Sequence, residues 1–164
     1  MDFRDYTVVS LAEDVNQQKK SAVELTKAAL ANIDRLNPTI NAFCSYDSSS
    51  ALAEAAMIDE KIANGASLPL AGIPIGVKDL EDAKGFVTTF GSQMHVNDAP
   101  AAADSVLVSR LRQAGCVVLG KTNTPEFGFK GKTDNIPFGA SCNPWNIQRT
   151  PGGSSGGTSA ALAS

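Results

Sequence analysis

Two stretches of the chain carry residue types that could do chemistry together. The first is Pro151-Gly152-Gly153-Ser154-Ser155-Gly156-Gly157-Thr158-Ser159, in which glycines bracket a pair of serines. Glycine permits backbone angles and close approaches that other residues resist, so such a run can aim a hydroxyl and backbone N–H groups at one reacting atom. The second is Gly72-Ile73-Pro74-Ile75-Gly76-Val77-Lys78-Asp79. A serine reacts, or carries a proton, only beside a base. A lysine is such a base near neutral pH only when its pKa is lowered, and burial lowers it by up to about 3–5 units. The apolar run 73–77 reads as a strand that delivers Lys78 into the interior. Asp79 would favour the charged lysine, but neighbours on a strand point to opposite faces.

Each motif has plainer readings. Residues 152–157 could be a flexible Gly/Ser linker. They also have the glycine spacing of a phosphate loop, with Thr158 where that loop needs its lysine. A serine-based acyl-transfer site is the third reading. Lys78 alone reads as an exposed lysine at a strand end. The single histidine, His95, would have to be the base of any Ser-His-Asp triad, and it reads instead as a surface or satisfied core residue. Cys44, Cys116 and Cys142 are odd in number and lack metal spacing, so they read as small buried thiols in a reducing compartment.

The elements that must hold these residues follow from pattern. Ser10-Leu11-Ala12-Glu13 fits a capping box that opens a short helix to about Gln18, and Ser21-Ala22-Val23-Glu24 repeats the signal. Leu25, Ala29, Ile33 and Leu36 then recur at helical spacing, until Asn37-Pro38 is expected to end the helix. Residues 42–46 read as a strand, and 51–64 as a helix with Gly65 as its left-handed cap. Pro74 marks the strand 73–77 as an edge or a strand start. Residues 85–91 read as loop or strand, and 97–103 as loop. Asp104 or Ser105 can cap a helix to about Ala114, with Val106, Leu107, Arg110, Leu111 and Ala114 as its apolar face. Cys116-Val117-Val118-Leu119 is a buried strand run. Strand, helix, strand in this order predicts an α/β arrangement with part of the sheet parallel. The Gly-, Pro-, Asn- and Thr-rich stretch 121–153 has no clear element, which in a compact domain often marks function.

Composition narrows the classes. The chain has 164 residues, 43% of them hydrophobic and 19% charged, with a net charge of −3. That is a globular balance in which nothing points to a nucleic-acid or anionic-membrane partner. The acidic N-terminus lacks the apolar core of a signal peptide, and no apolar run approaches a membrane span. The expectation is one soluble, cytoplasmic domain over residues 1–164 without an internal linker.

Taken together, the motifs resemble the amidase signature family. The resemblance rests on residues 72–79, on Thr88-Thr89-Phe90-Gly91-Ser92, on Arg110 to Gly115 followed by Val118 to Asn123, on Thr133-Asp134-Asn135, on Asn143-Pro144-Trp145 and on residues 151–157. The Glu24-Leu25 helix and Asn37-Pro38…Asn41-Ala42-Phe43 are similar too, so the match covers nearly the whole chain. Residues 122–128 look closer to the general amidases than to the A subunit of the glutamyl-tRNA amidotransferase. The resemblance implies an α/β fold, the N-terminal part of a mixed β-sheet core flanked by helices. It implies hydrolysis of a carboxylic amide to an acid and ammonia or amine, through a Ser–cis-Ser–Lys triad with no metal or organic cofactor. Lys78 matches the catalytic lysine. Ser154 matches the bridging serine, whose bond to Gly153 is expected to be cis. Gly128 falls where the family presents backbone to the substrate, and Ser155 is expected to hydrogen-bond nearby rather than react.

In one respect the chain departs from the pattern. The family's nucleophilic serine and oxyanion-hole N–H groups lie in a further glycine-rich segment downstream of the bridging serine. Residues 1–164 do not include it. The expectation is an amidase fragment that is catalytically incomplete by itself. The alternative is a non-catalytic binding or assembly fragment that pairs with a C-terminal amidase part. The implied partners are a small-molecule amide and either a second copy or that complementing part.

Overall fold

The computed structural model describes all 164 residues. Five helices and three strands alternate with long irregular segments. The strands β1 (Phe43–Tyr46), β2 (Pro74–Lys78) and β3 (Val117–Thr122) form one sheet in the order β1-β3-β2. β1 runs antiparallel to β3, with Phe43 opposite Thr122 and Tyr46 opposite Gly120. β2 and β3 are parallel: Val117 N donates to Ile73 O and Asp79 N to Thr122 O, so partner numbers rise together. The sheet is therefore mixed, with Pro74 on an edge strand, where its missing N–H costs no ladder bond.

The helix starts explain themselves by capping. α1 (Val8–Asn16) is capped by Thr7, which exchanges hydrogen bonds with Ser10. The sequence signal at Ser10 was thus one turn late, because Ser10 is the N3 partner and not the cap. α2 (Ala22–Ile40) opens on the expected box: Ser21 N donates to Glu24 Oε2 and Glu24 N to Ser21 Oγ. The Asp59 carboxylate accepts from the N–H groups of Ala22 and Val23, where a helix N-terminus favours a negative charge. α2 does not stop before Pro38 but continues to Ile40. The Asn37 side chain is why the chain can turn there: it accepts from Phe43 N at 2.7 Å and donates to Phe43 O at 2.9 Å, clamping the start of β1. α3 (Ser48–Ala63) is capped by Asp47, and Gly65 follows it at φ 88°.

α4 (Val106–Gln113) begins after Ser105, whose hydroxyl accepts from Val108 N. Its buried side is Val108, while Val106 and Leu107 are exposed, which corrects the expected apolar face by about one position. α5 (Gly156–Leu162) leaves the serine motif and packs on β1.

The chain groups into two compact units, each assembled from three stretches. One comprises Met1–Ala31, Asp47–Ile75 and Ser109–Leu119, with α1, α3 and Val117–Leu119 at its core. The other comprises Asn32–Tyr46, Gly76–Val108 and Gly120–Ser164. Because the stretches interleave, no linker marks the division in the sequence. Every residue of the candidate site belongs to the second unit.

Candidate active site

Lys78 is the last residue of β2 and is half-buried. Its Nζ donates to Ser154 Oγ at 2.7 Å across 76 positions of sequence. Ser154 is half-buried and its peptide bond to Gly153 is cis. Burial holds the Lys78 pKa below its ordinary 10.5, because the ammonium loses hydration. That is the direction a base needs.

Asp79 does not offset this. It turns away from Lys78 into the interior, where it is 1% exposed and pairs with Lys121 Nζ at 2.9 Å. Thr89 donates to the same carboxylate through its N–H and its hydroxyl, and Lys121 also donates to Thr88 Oγ1 at 2.9 Å. The Thr88-Thr89 pair thus serves the buried ion pair and not the surface.

The loop that carries Ser154 is pinned on both sides. Thr124 Oγ1 donates to Ser154 O at 2.9 Å. Thr133 Oγ1 donates to Gly152 O and accepts from Gly156 N, both at 3.0 Å. Gly157 N donates to Asn123 O, and the hydroxyls of Thr122 and Thr158 meet at 2.7 Å. Asn135 Nδ2 donates to Asn123 Oδ1 and Thr124 O, and Asn123 Nδ2 to Ser141 Oγ. β3 takes in Lys121 and Thr122, and the irregular stretch after it, 123–153, is held by side-chain hydrogen bonds in place of a ladder. Sequence reasoning assigned no role to Lys121, Asn123, Thr124, Thr133 or Asn135. They stood there only as members of the resemblance motifs and of a stretch dense in Thr and Asn where no period runs.

Gly128 lies beside the pair. It has φ +68°, and a Cβ there would stand 3.7 Å from Ser154 Oγ and 2.8 Å from Leu80 Cδ1. A Cβ at this position would overlap Leu80 and touch Ser154 at ordinary contact distance. Ser155 is exposed and precedes α5, and its side chain makes no capping bond. His95 pairs with Asp98 at 2.8 Å and packs edge-on to Phe90 and Phe127, so its partner is an acid and not a serine. Of the three free thiols only Cys116 is buried outright. Burial pushes Cys44 up to about 12 and Cys116 to about 11, which leaves both as poor nucleophiles. A pocket of about 450 Å³ opens among Asp82, Thr88, Phe90, Asp98, Ala99 and residues 101–104, but neither Lys78 nor Ser154 lines it.

The family model for amidases matches residues 24–164. The chain belongs to the amidase family. It is 42% identical over 159 residues to the A subunit of the glutamyl-tRNA(Gln) amidotransferase of Marinomonas sp. (strain MWYL1), a match over 97% of this chain and 32% of that protein. Amidase-family structures superpose on it closely. One, from work on a vestigial protein complex and the origins of an s-triazine catabolic enzyme, has a TM-score of 0.91 at 41% identity, over 95% of this chain and 34% of that one. The 6-aminohexanoate cyclic dimer hydrolase complexed with substrate has 0.86 at 37% identity, over 96% and 32%. The fold is that of the amidase signature enzymes, and the chain spans about a third of the length of the curated relatives it matches. No helix is long and apolar enough to cross a membrane.

Proposed function

We propose that these residues form the base-and-relay half of an amide-hydrolysing site. Lys78 is the proton acceptor and Ser154 the hydroxyl that relays a proton to it. The observation that carries the reading is the 2.7 Å contact between Lys78 Nζ and Ser154 Oγ, with the lysine half-buried and its pKa lowered by partial loss of hydration. In the whole reaction a serine outside these residues attacks the amide carbonyl. Its proton passes to Ser154 Oγ, while the Ser154 proton moves to Lys78. The C–N bond of the tetrahedral adduct then breaks, the amine leaves with a proton returned along the same path, and water releases the acid. Gly128 offers open backbone to the substrate and Ser155 a free hydroxyl at its edge. The substrate class is a small carboxylic amide, and no cofactor takes part in this scheme.

A chimera tests this. Residues 1–164 replace the matching third of the Marinomonas protein, and ammonia release is followed over a panel of carboxamides. Activity that is lost with Lys78→Ala and with Ser154→Ala supports the reading. A folded but inactive chimera, beside an active parent in the same assay, contradicts it.

A second reading is that the chain is a non-catalytic part that assembles with another chain. A structural neighbour described as part of a vestigial complex favours it. Association with a separately made C-terminal amidase part, without any activity on mixing, would select it.

A further inference from the structure

The buried pair Lys121–Asp79 lies one residue from the proposed base and takes no part in the proton path. Lys121 is 0% and Asp79 1% exposed. Removing two charges from water costs several kcal/mol per ion, and a well-packed apolar pair is often at least as stable, so stability alone is a weak reason for this arrangement. The pair is also tied to the site covalently and by register. Asp79 follows Lys78, and Asp79 N donates to Thr122 O at 3.0 Å, the residue after Lys121. Thr89 and Thr88 complete the cage around the carboxylate and the ammonium. Without Lys121, an anion would sit in a poorly solvated interior beside Lys78. An anion there favours the protonated lysine, which cannot accept a proton.

We propose that Lys121 is a positioning residue for the site: by pairing with Asp79 it holds that carboxylate turned away from Lys78 and cancels its charge, which keeps Lys78 able to accept the Ser154 proton. This rests on the reading of Lys78 as the base. The charged groups near Lys78 are few. On its own segment are Asp79 and Glu81, whose N–H donates to Lys78 O. On β3 there is Lys121. The segment packed against Gly153 carries Lys130 and Lys132, both paired with Asp134. Facing Lys78 directly is the uncharged hydroxyl of Ser154.

The test follows the pH dependence of Lys78 acylation by trace acetic anhydride in the 164-residue chain, read by peptide mass spectrometry against exposed Lys61. In the parent, Lys78 should titrate below Lys61. Lys121→Met should raise the Lys78 midpoint by about one pH unit, the scale of the field of one nearby unpaired carboxylate at an effective dielectric of about 20. The double variant Lys121→Met with Asp79→Asn, which removes both charges, should return it to the parent value. Lys121→Gln, which keeps a donor toward Thr88 and Asp79, replaces the Met variant where that one does not fold. A folded single variant with an unmoved midpoint overturns the proposal, as does a double variant that stays shifted. If Lys121→Met and Lys121→Gln both fail to fold while the double variant folds, the pair serves stability, and that outcome also overturns the proposal. A parent in which Lys78 titrates with Lys61 fails differently: it removes the base reading itself.

Discussion

Gly157→Ala is a sharp test of how the serine loop is held. Gly157 lies in the first turn of α5, and helix propensity alone says that alanine should stabilise it by about 1 kcal/mol. The packing says the reverse. A Cβ at Gly157 would overlap Ala42 O and the backbone of Asn123, the most distant of the three atoms, Asn123 O, standing at only 2.6 Å. Ordinary contact needs nearly 1 Å more. Two hydrogen bonds run through the same spot, Asn123 N to Ala42 O at 2.8 Å and Gly157 N to Asn123 O at 3.1 Å. Overpacking costs about 1–3 kcal/mol and each buried bond that is broken about 1 kcal/mol more. The net loss is roughly 3 kcal/mol, a large share of the 5–15 kcal/mol that holds a typical domain. For a chain of this size the melting temperature should fall by roughly 10 °C. Thermal and urea unfolding followed by circular dichroism reads both numbers. Ser159→Ala, on the exposed side of α5, is the control and should move stability by less than about 0.5 kcal/mol. A Gly157→Ala chain as stable as the parent would refute the close approach of α5 to residues 42 and 123.

Other consequences follow from the same geometry. Lys78 has its pKa lowered by burial, so between that lowered value and 10.5 the unfolded chain binds the extra proton and stability rises with pH. Below the window the fold carries a poorly hydrated ammonium. Lys78→Met removes that burden and should be more stable than the parent at pH 7, with the advantage shrinking as the pH approaches 10.5; urea titrations at two pH values check it, and a constant difference would contradict it. Thr124→Val keeps the shape but leaves the Ser154 carbonyl without its donor, at a cost of about 1–3 kcal/mol in thermal unfolding. Leu25→Ala empties a buried site on α2 and should cost about 2–5 kcal/mol by the same assay.

The strands and most helices were legible because their signals are local. The β-branched run 73–77 and the apolar run 116–119 announce β2 and β3, and the helix between them makes their parallel pairing a natural connection. Boundaries were less legible. Pro38 stays inside α2 because the Asn37 side chain, and not the proline, governs where the chain turns, and no propensity encodes a contact with Phe43. The apolar face of α4 was misplaced because only Val108 meets the interior. Lys78 and Ser154 were singled out as candidates through motif resemblance and chemical need. Spacing alone does not bring residues 76 positions apart to 2.7 Å. The threonine and asparagine network of 121–153 was illegible for a related reason: such residues look like loop, and only the tertiary fold shows which backbone groups they satisfy.

The most direct test of the central claim is intact-mass labelling of the 164-residue chain with a serine-reactive fluorophosphonate, with Lys78→Ala as the control. The account assigns Ser154 to relay and the attacking serine to residues beyond these 164, so it predicts no adduct. A single adduct that depends on Lys78 would place the nucleophile inside this chain and contradict the division of roles.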